Sequence, residues 1–78
     1  MKNLGYYLAI VNTYLIDLQG DYYLKGDNII YKDKNIRIIL EQKEFFVWFA
    51  NYIKDKSTNY DYIKNEDIQE LEAVAQWK

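Results

Sequence analysis

The apolar residues of this chain change their period twice within 78 positions, and that switch limits the fold more than any other feature of the sequence. Leu4, Tyr7, Leu8, Val11, Tyr14, Leu15 and Leu18 recur in steps of three and four, which predicts a helix with an apolar stripe roughly 120° wide. Asn3 is placed to cap its start, and Gly20 sits where a C′ glycine would end it. Tyr6, Ala9, Ile10 and Ile16 fall outside the stripe, so this helix is either central to the fold or shared with another chain.

The period then falls to two. Asp21–Leu24 reads as a short strand, Lys25-Gly26-Asp27-Asn28 as a turn, and Ile29–Lys32 as a second strand. Asp33-Lys34 reads as a tight turn into a third strand over Asn35–Glu41. There Ile36, Ile38 and Leu40 share one face, and Arg37, Ile39 and Glu41 share the other. Turns this short imply an antiparallel hairpin or a three-strand meander.

Helical spacing returns over Lys43–Lys56, where Phe45, Phe46, Phe49, Tyr52 and Ile53 line one sector, Trp48 lies at its edge and Val47 faces away. Ser57–Lys64 reads as a loop or a single turn. A last helix is expected over Asn65–Gln76, capped by Asn65 or Asp67, with Ile68, Leu71, Val74 and Ala75 inward. The expected fold is therefore a single α+β domain spanning residues 1–78. It has an N-terminal helix, a small antiparallel sheet of two or three strands, and two C-terminal helices packed on one sheet face.

Composition narrows the function. The chain has no cysteine and no histidine, which removes disulfides, the best soft metal ligands and the commonest acid–base group. It holds no Ser/His or Cys/His arrangement, no Gly-rich phosphate loop and no calcium-loop spacing. A protein without enzymatic activity, cofactor or metal is expected. With nine tyrosines, three phenylalanines and two tryptophans, it is suited instead to contact. Lys, Asn, Ile, Tyr and Phe dominate, and these have AT-rich codons, so an AT-rich bacterium, or a phage or plasmid living in one, is a competing source of the tyrosines. The net charge of −2 gives no global pull toward nucleic acid or an anionic membrane. The apolar stretch Leu4–Ile16 is broken by Asn12 and Thr13 and is too short to span a bilayer. A cytoplasmic protein is expected.

Two surface sets stand out. Tyr60, Asp61, Tyr62, Glu66, Asp67, Glu70, Glu72 and Trp77 form an acidic and aromatic C-terminal region that could dock on a basic groove. Tyr22, Tyr23, Lys25, Tyr31, Lys32, Lys34 and Arg37 interleave bases with aromatics in the hairpin, a pattern that can bind a nucleic-acid strand. The plainer readings are a solvated helix face and a lysine-protected sheet edge. A helix-turn-helix is excluded, because Lys56 to Lys64 is too long a connection and the last helix is acidic.

The leading expectation is a small protein-interaction module, in its specific form an inhibitor encoded by a phage or mobile element that blocks a host nucleic-acid-handling protein such as a CRISPR or restriction effector. The alternatives are a nucleic-acid-binding protein using the hairpin and a structural homodimer subunit.

Overall fold

The computed structural model of the chain describes residues 3–56 and 63–76. Helix α1 runs over Leu4–Leu18, strand β1 over Asp21–Lys25, β2 over Asn28–Lys32 and β3 over Arg37–Glu41. Helix α2 spans Gln42–Lys56, α3 spans Asn65–Glu72, and a 3-10 turn follows over Ala73–Gln76. The strands form an antiparallel meander in the order β1-β2-β3. The architecture is the expected α+β fold.

Helix α1 begins as its sequence predicts: the Tyr6 amide donates to Asn3 Oδ1 at 3.0 Å. Its end is different. The residue in the left-handed conformation is Gln19, with φ 55°, and not Gly20. The amides of Gln19 and Gly20 donate to the carbonyls of Ile16 and Leu15, closing a Schellman motif with glutamine at its C′ position. A side chain with a Cβ is strained there, so Gln19→Gly is expected to stabilise the fold by about 0.5–1 kcal/mol. Thermal unfolding should then rise by a few degrees. Gly20 serves a different need. A Cβ on Gly20 would lie 2.6 Å from the Tyr31 hydroxyl and 2.9 Å from Cε1 of the same ring.

The first hairpin turns on two residues, Gly26 and Asp27, so Lys25 and Asn28 belong to the strands rather than to a four-residue turn. Gly26 has φ +61°, the sign that primed hairpin turns require at their first central position. The connection from β2 to β3 is longer than expected, and β3 starts at Arg37 rather than Asn35. Asp33 organises this connection. Its carboxylate accepts from the amides of Asn35 (2.7 Å) and Ile36 (3.0 Å), and its own amide donates to the Ile36 carbonyl at 2.9 Å. Strand β3 passes directly into α2, whose first amide, on Gln42, donates to the Asp27 carbonyl at 3.2 Å.

The C-terminal segment ends its α-helix at Glu72, four residues before the predicted end at Gln76, and tightens into the 3-10 turn. Lys64 occupies the N-cap position, with no side-chain capping bond, so neither Asn65 nor Asp67 caps α3 as predicted. Glu66 and Asp67 do sit in the first turn, favourable for the helix dipole.

The helices cover one face of the sheet. Tyr7, Val11, Tyr14, Phe45, Phe46, Phe49, Ile53, Ile68, Leu71 and Val74 are buried together with Ile29 and Tyr31 of β2. The stripes of α1 and α2, with Ile68 and Leu71 of α3 and Val74 of the 3-10 turn, supply the helical part of this core, as their spacing predicts, whereas Ala75, expected inward, is exposed. Ile10 is buried too, although it lies outside the predicted stripe. The largest departure is Tyr31. No spacing in the sequence places it inside, yet it is 0% exposed. Its ring lies 5.6–6.1 Å from the rings of Phe45, Trp48, Phe49 and Tyr52. Aromatic packing of this density helps to hold together a small domain that has no cysteine for a disulfide.

Candidate interaction surfaces

Tyr31 is buried with its hydroxyl satisfied. It donates to Asp33 Oδ2 at 2.7 Å, and Tyr52 donates to the same oxygen at 2.5 Å. Tyr52 in turn stacks on Trp48 with centroids 4.7 Å apart, and the Lys56 ammonium lies 5.3 Å from the Tyr52 ring centre. Burial raises the Tyr31 phenol far above the ordinary tyrosine range, helped by its bond to Asp33 and by the nearby negative charge. Burial and the same carboxylate push Tyr52 up to about 12. Asp33 feels opposed forces. Partial burial drives its carboxyl up, but the bonds from Tyr52, Tyr31 and the two turn amides outweigh it and hold the group below the usual carboxylate range. Both tyrosines thus remain neutral donors and Asp33 a charged acceptor. The cluster joins β2, the β2–β3 turn and α2, and it is used up in doing so.

The acidic set is similarly committed in part. Asp67 accepts the Tyr14 hydroxyl at 2.5 Å, and that hydroxyl oxygen accepts the Lys64 amide at 3.3 Å. Asp67 therefore ties α3 to α1. Glu72 lies 3.7 Å from Lys54 of α2. Glu70 and Glu72 are half-buried, and Glu66 is exposed. Tyr60, Asp61, Tyr62 and Trp77 lie outside the described residues.

The hairpin set divides by strand alternation. Tyr22 and Tyr31 face the helices, so they cannot offer their rings to a base on the far side, and Tyr31 is fully enclosed. Lys34 lies in the β2–β3 turn. Tyr23, Lys25, Lys32 and Arg37 share the opposite, outer face.

Cross-strand register arranges that outer face in three rows. One is Asp21, Lys32 and Arg37; the middle one is Tyr23, Ile30 and Ile39; the last is Lys25, Asn28 and Glu41. The middle row is apolar and belongs to no part of the core cluster. Tyr23 is 52% exposed and Ile39 53%, while Ile30 between them is only 4% exposed. Ile30 has Tyr23 and Ile39 as its direct cross-strand neighbours. Residues Lys25, Asn28, Ile39 and Glu41 line a hollow beside it. Six charged or polar side chains bracket this row, all exposed.

Ile30 and Ile39 belong to neither of the two sets expected from sequence. Their signal is the paired isoleucines Ile29-Ile30 and Ile38-Ile39, which leave one apolar residue on each face of a sheet that the described helices cover on one face. A second apolar groove, lined by Leu40, Val47, Trp48 and Ala75, lies beside α2.

No helix among the described residues is long and apolar enough to cross a membrane. No protein-family model, curated protein or solved structure matches this chain.

Proposed function

We propose that this chain is a small, non-enzymatic protein-binding module whose contact surface is the outer face of its sheet. The observation that carries the reading is the apolar row Tyr23–Ile30–Ile39, which lies outside the core and is half exposed at both ends. An apolar centre with a charged border is the usual anatomy of a protein contact, and tyrosine is enriched among residues that dominate binding energy. The lack of histidine and cysteine supports binding over catalysis.

The specific form of the reading is an inhibitor, encoded by a phage or mobile element, that blocks a host nucleic-acid-handling protein. Its small size and AT-rich residue usage support this form. The sheet face replaces the acidic C-terminal region as the main anchor, because Asp67 and Glu72 already have partners within the fold. Direct binding of nucleic acid is less well supported. With Tyr31 enclosed, Tyr23 is the one aromatic that the strands present on the outer face, and Asp21 and Glu41 dilute the bases around it.

The test is affinity capture from the native host, read by mass spectrometry. Wild-type chain is compared with a Tyr23→Ser/Ile39→Ser double variant, whose substitutions sit at exposed positions. The expected outcome is a protein recovered by wild type and depleted at least roughly tenfold with the double variant, as loss of two anchors of about 1 kcal/mol each implies. Equal recovery of every protein by both would sink the reading.

A further inference from the structure

We propose that the outer sheet face also pairs with the same face of a second copy of this chain. The proposal rests on the reading of that face as a contact surface and adds a definite occupant, argued from charge complementarity. A two-fold axis lying in the interface, perpendicular to the strands and passing through the middle row, keeps each strand over its own counterpart and exchanges the two outer rows. Asp21 of one copy then faces Lys25 of the other, and Arg37 faces Glu41. Lys32 faces the uncharged Asn28. Tyr23, Ile30 and Ile39 each meet their own equivalents, so the apolar row is covered along its whole length. No like charges meet.

The other in-plane axis, parallel to the strands, is worse, because it sets Lys32 against Lys32. Self-complementarity of one patch is what a closed two-fold dimer requires. The arrangement packs two sheets face to face, a common solution for sheets with an apolar face.

The face is small. Three strands about 4.8 Å apart and five residues long cover roughly 14 by 17 Å, well below the ~800 Å² per partner of a standard complex. The dimer is therefore weak, with a dissociation constant on the order of 10 µM or above.

Sedimentation velocity between about 5 µM and 1 mM tests the pairing, with folding of every variant checked by its amide spectrum. The wild-type mass should rise from the 9.5 kDa of one chain toward twice that value as concentration increases. Arg37→Glu alone and Glu41→Arg alone should each weaken association at least roughly tenfold. The chain carrying both changes should recover most of the loss, because the exchanged residues face each other across the axis. They lie four positions apart on one strand, so the recovery cannot come from a bond within one chain. The axis parallel to the strands makes the opposite prediction. There the same double variant sets a like charge against Asp21 and another against Lys25, and it associates worst of all. A wild type that stays at monomer mass at 1 mM overturns the proposal, and so does a double variant no better than the single ones. A monomeric result would leave the capture experiment to judge the binding-module reading alone.

Discussion

Asp33→Ala is expected to cost about 3 kcal/mol, lowering the midpoint of thermal unfolding by roughly 15 °C. The substitution removes one acceptor and strands several donors. Tyr31 is fully enclosed, so its hydroxyl cannot turn to solvent for a replacement. Tyr52 loses its partner as well, and the amides of Asn35 and Ile36 lose the carboxylate that shapes the β2–β3 turn. Leaving a buried donor unpaired is more expensive than never having made the bond.

The same cluster gives a pH signature. Asp33 titrates below its ordinary value in the folded protein, so its contribution is complete above the ordinary carboxylate range and is lost as pH falls through the lowered value. The two phenols are raised, so theirs is complete below about pH 10, the ordinary tyrosine value, and is lost as pH climbs through the folded values, near 12 for Tyr52. Wild-type stability should therefore fall at both extremes. The Asp33→Ala variant should lose the acid limb that Asp33 itself contributes. Urea unfolding at a series of pH values measures both effects. An Asp33→Ala chain as stable as wild type at neutral pH would show that the cluster does not hold the fold.

Gly20→Ala is expected to destabilise by about 2–3 kcal/mol, the upper part of the usual range for overpacking a filled core. One methyl group produces this, because it would enter the space occupied by Tyr31 Oη, Cε1 and Cζ at 2.6, 2.9 and 3.0 Å. The ring cannot retreat without displacing Phe45, Trp48, Phe49 or Tyr52, or leaving Asp33. Gly5→Ala is the contrast. A Cβ on Gly5 meets nothing closer than Asn3 Oδ1 at 3.4 Å, and alanine suits a helix better by up to about 1 kcal/mol. Paired denaturant titrations should give opposite signs for the two changes. Near-ultraviolet circular dichroism should alter only for Gly20→Ala, since Tyr31 adjoins Trp48.

These residues also mark where the sequence is readable and where it is not. The helices α1 and α2 and the alternation in β3 follow from local periodicity, which each segment carries by itself. Tyr31 does not. The segment Ile29-Ile30-Tyr31 is apolar at three successive positions, so either face could have met the helices, and tertiary packing chose the face of Ile29 and Tyr31. Gly20 looks like a helix stop because helix stops are often glycine, yet its reason lies in a ring eleven residues onward in the chain. Asp67 resembles a cap, but its partner is Tyr14 of α1, 53 residues earlier in the chain. Contacts between distant segments leave no periodic trace. For the same cause the outer-face row is hard to see in the sequence: Ile39 reads as one side of a strand, and nothing local says that this side is the exposed one.

If the row Tyr23–Ile30–Ile39 is where this protein meets its partners, a captured protein must settle on it. Amide and methyl signals of the isotope-labelled chain can be followed as that protein is added. The signals of Tyr23, Lys25, Ile30, Arg37 and Ile39 are expected to shift or broaden first, with those of Glu66 and Glu70 on α3 little changed. Perturbations gathered on α3, with the signals of Tyr23, Ile30 and Ile39 unmoved at saturation, would rule out the sheet face as the contact surface.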